Sequence, residues 1–204
     1  MDYGTIVATC IETTGRYDKE AYISARVNAV CRKIASLQDS FHDLSETVEV
    51  VDGTATVLNL ALPSDFRKVA YLRPLPYAKF LDPMTPNQGI MNGKELTNSY
   101  YISGSTIIIR LRNGYQTSSL ARGYYLYPTT LVLPTDTNWV TDTYGDLIVD
   151  MICAMVYRAT GDVKTAMALE GGSVGIQASL DQIASNDRTG GKANIIGMNH
   201  KGMR

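Results

Sequence analysis

The sequence contains few of the residues that build metal sites and disulfide frameworks. Its 204 residues include two histidines and three cysteines, and neither a CxxC nor an HxxxH spacing occurs. Because the cysteines are far apart and odd in number, we expect no disulfide framework, and a reducing compartment fits them. We therefore expect no metal and no cofactor. Cys31 and Cys153 lie among apolar residues at helical spacing, so we interpret them as core residues.

The sequence also lacks a charge excess and a long apolar run. Nineteen Lys and Arg against twenty Asp and Glu give a net charge of −1, whereas nucleic-acid-binding proteins usually have a clear basic excess. No apolar run approaches the roughly 18 residues of a membrane helix, so no membrane partner is expected. The chain is instead 45% hydrophobic and contains 13 tyrosines, a composition that suits burial of surface against other proteins.

No catalytic motif appears in the context that it requires. Phosphate-binding glycine motifs are absent, and Ser103–Ser105 falls in a predicted hairpin turn rather than in a nucleophile elbow. Two carboxylate pairs have simpler interpretations. Glu46 and Glu49 fit a strand whose Thr47/Glu49 side is the solvated face, and Asp142 and Asp146 fit helix capping. We therefore predict no enzymatic activity and no catalytic residue.

The spacing of apolar residues changes twice along the chain and predicts an α+β fold. Helical spacing runs through residues 1–44, where Asp2 and Asp18 are predicted N-caps of two helices and Gly15 is predicted to end the first in a left-handed cap. Alternation begins near residue 45, and Asp52-Gly53 predicts a hairpin between two neighbouring strands. Helical spacing returns at Asp142, and Gly161 is predicted to close that helix. Asp162 is predicted to cap a last helix that continues to about residue 187, with Gly171-Gly172 and Gly175 as weak points.

These elements predict an α-helical bundle with an inserted antiparallel β module, sandwich-like or barrel-like, and an extended C-terminal arm. The boundaries are 1–44 for the N-terminal helices of the core, 45–134 for the β module, 135–187 for the C-terminal helices and 188–204 for the arm.

The arm has four glycines, several basic residues and no regular period, a composition that predicts disorder in a free chain. We expect it to become ordered on a partner, the alternative being an arm that lies along its own subunit. Its predicted partner-binding residues are the apolar anchors and polar clamps Arg188, Lys192, Ile195, Ile196, Met198, Lys201 and Arg204.

Short stretches between about residues 14 and 162 form an ordered pattern. They are Thr14-Gly15-Arg16 with Asp18, Leu62-Pro63-Ser64-Asp65-Phe66, Gly123-Tyr124-Tyr125 with Pro128 and Leu131, and Asn138-Trp139-Val140 with Asp146-Leu147 and Gly161-Asp162. Together they resemble the head-to-tail adaptor, or connector, proteins of tailed bacteriophages. The sequence departs from that pattern at Gly145, where such chains often have proline, and the arm matches none of it.

The resemblance implies a structural virion protein that is assembled in the host cytoplasm. It implies a homo-oligomeric ring, commonly of twelve copies, beneath the portal protein in the neck between capsid and tail. The arm would reach into the portal. The β module would face tail or nozzle proteins, with Tyr77, Tyr100, Tyr101 and Tyr115 as tail-facing residues.

Double-stranded DNA would pass through the lumen of that ring during ejection without specific binding. A near-neutral chain suits such a channel, because phosphate-binding lysines would grip the duplex.

Other functions stay open on the sequence alone. The chain could be another tail or neck component, such as a tail-completion or tube protein, which an arm that binds no portal would indicate. It could be a carbohydrate-binding tail module, in which case replacing Tyr124 and Tyr125 would abolish glycan binding. A hydrolase would require two close carboxyl groups in a cleft, one with a raised pKa.

Overall fold

The computed structural model describes residues 1–39, 43–52, 55–76, 79–85, 98–111, 117–171 and 175–185. They form two compact units. One is Asp43–Tyr127 and holds all the described strands, and the other combines the described residues of Met1–His42 with those from Pro128 onward and is helical. The predicted α+β class is therefore confirmed. The predicted arm, 188–204, lies outside the described residues.

The helical unit contains five described α-helices around one apolar core. They are α1 (Tyr3–Thr14), α2 (Glu20–Ala35, preceded by a turn of 3-10 helix at Tyr17–Lys19), α3 (Trp139–Ala159), α4 (Val163–Glu170) and α5 (176–185). Apolar residues at helical spacing point inward from these helices. The largest fully buried ones are Ile6, Ile23, Val27, Val30, Ile34, Ile148 and Ile152. Burying each such side chain stabilises the fold by roughly 1.5–3 kcal/mol.

The ends of α1 follow the sequence prediction, whereas the start of α2 does not. The carboxylate of Asp2 accepts a hydrogen bond of 2.7 Å from a first-turn N–H, and Gly15 ends α1 at φ 65°. The prediction that Asp18 caps α2 is wrong. Asp18 lies in the 3-10 turn and accepts two hydrogen bonds of 2.7 Å from Arg16, so Lys19 occupies the N-cap position without a side-chain cap.

The apolar spacing predicted that a helix begins at Asp142. The helix, α3, begins three residues earlier, at Trp139. The side chain of Asn138 accepts hydrogen bonds of 3.1 Å from the N–H groups of Val140 and Thr141. The Thr141 hydroxyl in return accepts one of 3.0 Å from the Asn138 N–H, which completes a capping box. Asp142 therefore lies in the first turn of the helix rather than at its cap.

The chain after α3 forms two helices rather than one continuous helix. Gly161 has a φ of 86° and Asp162 caps α4 through a hydrogen bond from Thr165 N–H, both as predicted. Helix α4 then ends at Glu170, and helical structure resumes at residue 176. The glycines that we predicted as weak points at Gly171 and Gly175 therefore coincide with an interruption.

The β unit contains seven described strands in two sheets. They are β1 (Leu44–Val50), β2 (Val57–Ala61), β3 (Phe66–Leu75), β4 (Asp82–Pro83), β5 (Ser99–Ser103), β6 (Thr106–Arg110) and β7 (Ser119–Leu126). One sheet has the order β1-β7-β3 and the other β2-β6-β5-β4. Every pair is antiparallel except β4 with β5. The two sheets share one apolar core, as a sandwich does, and its most buried members are Leu72, Ile107, Ile109, Leu111 and Leu120.

The two predicted hairpins have opposite outcomes. The turn at Ser103–Ser105 joins β5 to β6, with Gly104 at φ 58°, as predicted. The hairpin predicted at Asp52-Gly53 is wrong, since β1 pairs with β7 and β2 pairs with β6 in the other sheet. A turn signal predicts where the chain can reverse, but the pairing partner is decided by packing across the whole sheet.

Candidate interaction surfaces

The described residues offer little to covalent or metal chemistry. Within them, no three potential metal ligands come together, and no helix is long and apolar enough to span a membrane. All three cysteines are buried. A hydrogen bond with Cys153, together with burial, raises the pKa of Cys10, and burial raises the pKa of Cys31 to about 11. Both thiols therefore stay protonated near neutral pH and are poor nucleophiles.

The carboxylates Glu46 and Glu49 do not form a catalytic pair, because β1 directs them to opposite faces of its sheet. Glu46 accepts a hydrogen bond of 2.7 Å from the Tyr71 hydroxyl, and this bond raises the pKa of Tyr71. Glu49 lies on the core-facing side, 2.8 Å from Nη2 of Arg122. Each carboxylate thus has a structural partner of its own.

The interpretation of Thr47 and Glu49 as the solvated face of β1 is wrong. Both side chains are half-buried, whereas the alternating Val48 and Val50 are 65% and 89% exposed. The reason is Arg122 on β7, whose Nε donates to the Thr47 hydroxyl at 3.0 Å and whose guanidinium pairs with Glu49. A charge on the core-facing side needs polar acceptors there, so the polar half of β1 turns inward.

The outer face of the β1-β7-β3 sheet therefore has an apolar patch beside Glu46, which we call the valine face. It consists of Val48 and Val50 on β1, Tyr71 on β3, and Phe80, whose ring meets that of Tyr71 edge-on at 5.7 Å. Phe80 is half exposed. Because β1 pairs on one side only among the described strands, its other edge also presents backbone hydrogen-bonding groups. Exposed apolar surface beside an open edge is typical of a contact with another chain.

A second apolar surface lies in the helical unit, on the loop before α3. Val132 and Leu133 are 73% and 60% exposed, yet their backbone is held in place. Both N–H groups donate to Oδ2 of Asp136 at 2.7 Å, and these bonds lower the pKa of Asp136. The Asn28 side chain exchanges two hydrogen bonds of 2.9 Å with the backbone of Leu131. The loop thus displays two apolar side chains on a fixed frame.

A third exposed apolar pair lies on α4. Val163 and Met167 are one helical turn apart and both are exposed, whereas Ala166 on the inner side is fully buried. The end of α4 is tied to α3, because Nε of Arg158 donates to Glu170 at 2.9 Å. This pair is therefore also carried by an anchored element.

The residues that the sequence predicted to face the tail are only partly within the described structure. Tyr101 lies in β5 and is 8% exposed, with the Arg110 guanidinium 5.9 Å from its ring centre. Tyr100, also in β5, is half-buried against the β core, and burial raises its pKa. Tyr77 and Tyr115 lie outside the described residues. So do the arm residues Arg188, Lys192, Ile195, Ile196, Met198, Lys201 and Arg204.

The strand tyrosines considered for carbohydrate binding do not form an open stacking platform. Tyr124 is buried, with the Arg122 guanidinium 5.2 Å from its ring centre and Phe66 at 6.5 Å. The guanidinium of Arg67 lies 5.2 Å from the ring centre of Tyr125. The faces of both rings are therefore engaged within the β unit.

Sequence reasoning missed the exposed apolar residues, since spacing alone does not tell which side of an element is covered. The one local signal was Val132-Leu133-Pro134, an apolar pair before a proline in a segment without helical or strand period.

These features define the class of protein to which the chain belongs. The chain is an α+β protein of two units, and anchored elements of both units leave apolar side chains exposed. Such surfaces are typical of a subunit of a larger assembly.

Comparison with known families agrees. The chain matches the family model of the SU10 adaptor protein over residues 1–195, so it belongs to the SU10 adaptor protein family. The match covers the described parts of both units and ends within the arm. The resemblance to phage adaptors is thereby confirmed, and the chain is a structural adaptor of a bacteriophage virion. Families of this kind are typically not enzymes. None of the curated proteins matches this chain.

Proposed function

We propose that this chain is a head-to-tail adaptor whose copies form a ring, commonly of twelve, that joins the capsid portal to the tail. The observation that carries the proposal is the family match over residues 1–195, which includes both units rather than a shared fragment. The ring occupies the neck of the virion, and assembly takes place in the host cytoplasm.

The exposed apolar surfaces support this proposal. An adaptor needs contacts with its neighbours in the ring, with the portal and with the tail. The valine face belongs to the β unit, whereas Val132, Leu133, Val163 and Met167 belong to the helical unit. Separate surfaces on the two units suit a protein that meets several partners at once.

The contact with tail or nozzle proteins is assigned to the β unit. The sequence-based proposal names Tyr77, Tyr100, Tyr101 and Tyr115 there. Because Tyr101 exposes 8% of its surface and Tyr100 is half-buried, we extend the proposed contact to the exposed valine face.

The contact with the portal is assigned to the arm. Ile195, Ile196 and Met198 are its proposed apolar anchors, and Arg188, Lys192, Lys201 and Arg204 its polar clamps. The family match ends at residue 195, so the last nine residues are outside it. A segment beyond the shared family region suits contacts with the portal of one particular virion.

The portal contact is tested by mixing the purified chain with the portal protein of the same particle and reading the masses of the complexes. We compare the whole chain with one truncated after Asp187. The whole chain forms a closed ring on the portal, and the truncated chain does not, although its unfolding midpoint is unchanged. Binding of neither chain to the portal would contradict the adaptor function.

Point variants test the two isoleucine anchors without shortening the arm. Ile195→Ser with Ile196→Ser weakens portal binding, whereas the matched control Ala193→Ser with Asn194→Ser leaves it intact. Equal binding by both double variants would exclude the two isoleucines as anchors.

The lumen of the ring is proposed to let double-stranded DNA slide. A net charge of −1 favours weak contact, since affinity for duplex DNA comes largely from basic side chains on phosphates. The assay is binding of duplex DNA to the assembled ring at physiological salt. Tight binding would contradict this part of the proposal.

A further inference from the structure

Helix α2 presents to solvent a face made of small and basic side chains, which we call the basic face. Its exposed members are Ala21, Ala25, Arg26, Ala29, Arg32 and Lys33. The three alanines recur every four residues and cover about 12 Å of the helix at 1.5 Å per residue. Small side chains let another helix approach closely, and the flanking cations surround that approach with positive charge.

Helix α3 presents the opposite charge on what we call the acidic face, formed by Asp142, Asp146 and Asp150, all exposed. Asp142 lies in the first turn and 3.6 Å from the N-terminal ammonium, so local interactions account for it. Asp146 and Asp150 follow the non-helical residue Tyr144 and lie one regular turn apart. Among the described residues, neither has a cationic partner within 4 Å.

Within the part of the chain that the structure describes, no cation compensates this acidic pair. Like charges four residues apart destabilise an isolated helix. Partial burial, and after it the neighbouring Asp146, raise the pKa of Asp150. Beside the pair, Thr143, Leu147, Ser179, Gln182 and Ile183 line a groove between α3 and α5 that another chain could enter.

We infer that the acidic face of α3 in one copy packs against the basic face of α2 in the next copy. The inference rests on the proposed function, because it names the surfaces by which neighbours in the ring meet. Both faces lie on helices of the helical unit, and their charges are opposite. A ring requires two different, complementary faces on each subunit, whereas a two-fold dimer requires one self-complementary face. This chain, whose net charge is −1, has its basic side chains on one face and its acidic side chains on another. It therefore has the two different, complementary faces that a ring requires.

The test reverses the charges of each face separately. One variant is Asp146→Lys with Asp150→Lys, and the other is Arg26→Glu with Lys33→Glu. Each reversal places like charges across the contact and weakens association of the subunits by on the order of a hundredfold. The matched control is Glu12→Lys with Asp65→Lys, which makes the same charge change as the first variant at exposed sites on neither face. Unfolding midpoints verify that all variants fold.

Mixing the two charge-reversed variants distinguishes the loss of charge pairing from structural damage to the subunits. An equal mixture of the two reversed variants again has opposite charges at every contact and closes rings of alternating copies. A chain with all four substitutions closes rings alone. Raising the salt to about 0.5 M weakens ring closure of the unmodified chain, because exposed charge pairs are screened.

The masses of the assemblies are measured with each protein alone and with the portal of the same particle. Rings from either reversed variant as readily as from the unmodified chain would overturn the inference while leaving the adaptor function intact. Failure of the mixture and of the fourfold variant to close would also overturn it. If the unmodified chain forms no ring even on the portal, the proposed function fails and the inference fails with it.

Discussion

The close packing of Tyr71 on Gly123 leads to a sharp prediction about the β unit. Gly123 lies in β7, between β1 and β3, and the Tyr71 ring covers it. A Cβ at this position would lie 2.8 Å from Cδ1 and 3.0 Å from Cζ of that ring, and closer still to Cε1. The ring cannot easily move aside, because its hydroxyl donates to Glu46 at 2.7 Å and its edge packs on Phe80.

The expected cost of Gly123→Ala follows from two opposing effects. Overpacking a closely packed site costs about 1–3 kcal/mol. Replacing glycine by alanine in a strand otherwise stabilises by roughly 0.5–1 kcal/mol, because the unfolded chain loses conformational freedom. The β unit should therefore lose about 1–2 kcal/mol. Hydrogen exchange of β7 amides in urea measures this loss without contribution from the helical unit.

A second background tests the cause. In Tyr71→Leu the ring is absent, so adding Gly123→Ala should cost nothing or stabilise slightly. The control Gly104→Ala has no neighbour within 4 Å but a φ of 58°, so it should cost the same in both backgrounds. If Gly123→Ala costs as much without the Tyr71 ring as with it, the contact is not the reason and the argument is refuted.

Three further predictions concern stability. Arg122→Met, measured by urea unfolding, should cost about 2–3 kcal/mol because Glu49 loses its partner, and adding Glu49→Gln should recover part of that loss. Asn138→Ala removes the capping box of α3 and should cost about 1–2 kcal/mol; an unchanged thermal midpoint would contradict this. Hydrogen bonds from Arg16 lower the pKa of Asp18 from 3.8 to about 2. Because the folded-state pKa is the lower one, this contact stabilises above pH 3.8 and is lost as the pH falls toward 2. The difference in melting temperature between the unmodified chain and Asp18→Asn should shrink over that range, and a constant difference would exclude the pair as its source.

The helices were predictable where their signals are local. Asp2 and Gly15 bound α1 through contacts within a few residues, and Gly161 with Asp162 separates α3 from α4 in the same way. The start of α2 was not predictable, since Asp18 satisfies the N-cap preference equally well by binding Arg16. Competition between two local partners of similar strength is not resolved by residue type alone.

The candidate surfaces were less predictable, because exposure depends on residues distant in sequence. Alternation in β1 correctly predicted a strand, but its buried side is selected by Arg122, which is 75 residues from Thr47. The valines therefore face outward, against the usual pattern in which the apolar half of a strand faces the core. The same limit applies to Asp52, whose turn signal predicted a hairpin, whereas the two flanking strands joined different sheets.

The locations of the surfaces allow assembly steps to be separated by mutation. The acidic and basic faces lie in the helical unit, whereas the valine face lies in the β unit and depends on the Tyr71–Gly123 packing. Charge reversal on α2 or α3 should therefore prevent ring closure without loosening the β unit. Gly123→Ala should loosen the β unit and weaken its contacts without preventing ring closure. If instead both changes abolished ring closure equally, the contact between neighbouring copies would have to involve both units, and its assignment to the two charged helix faces would be incomplete.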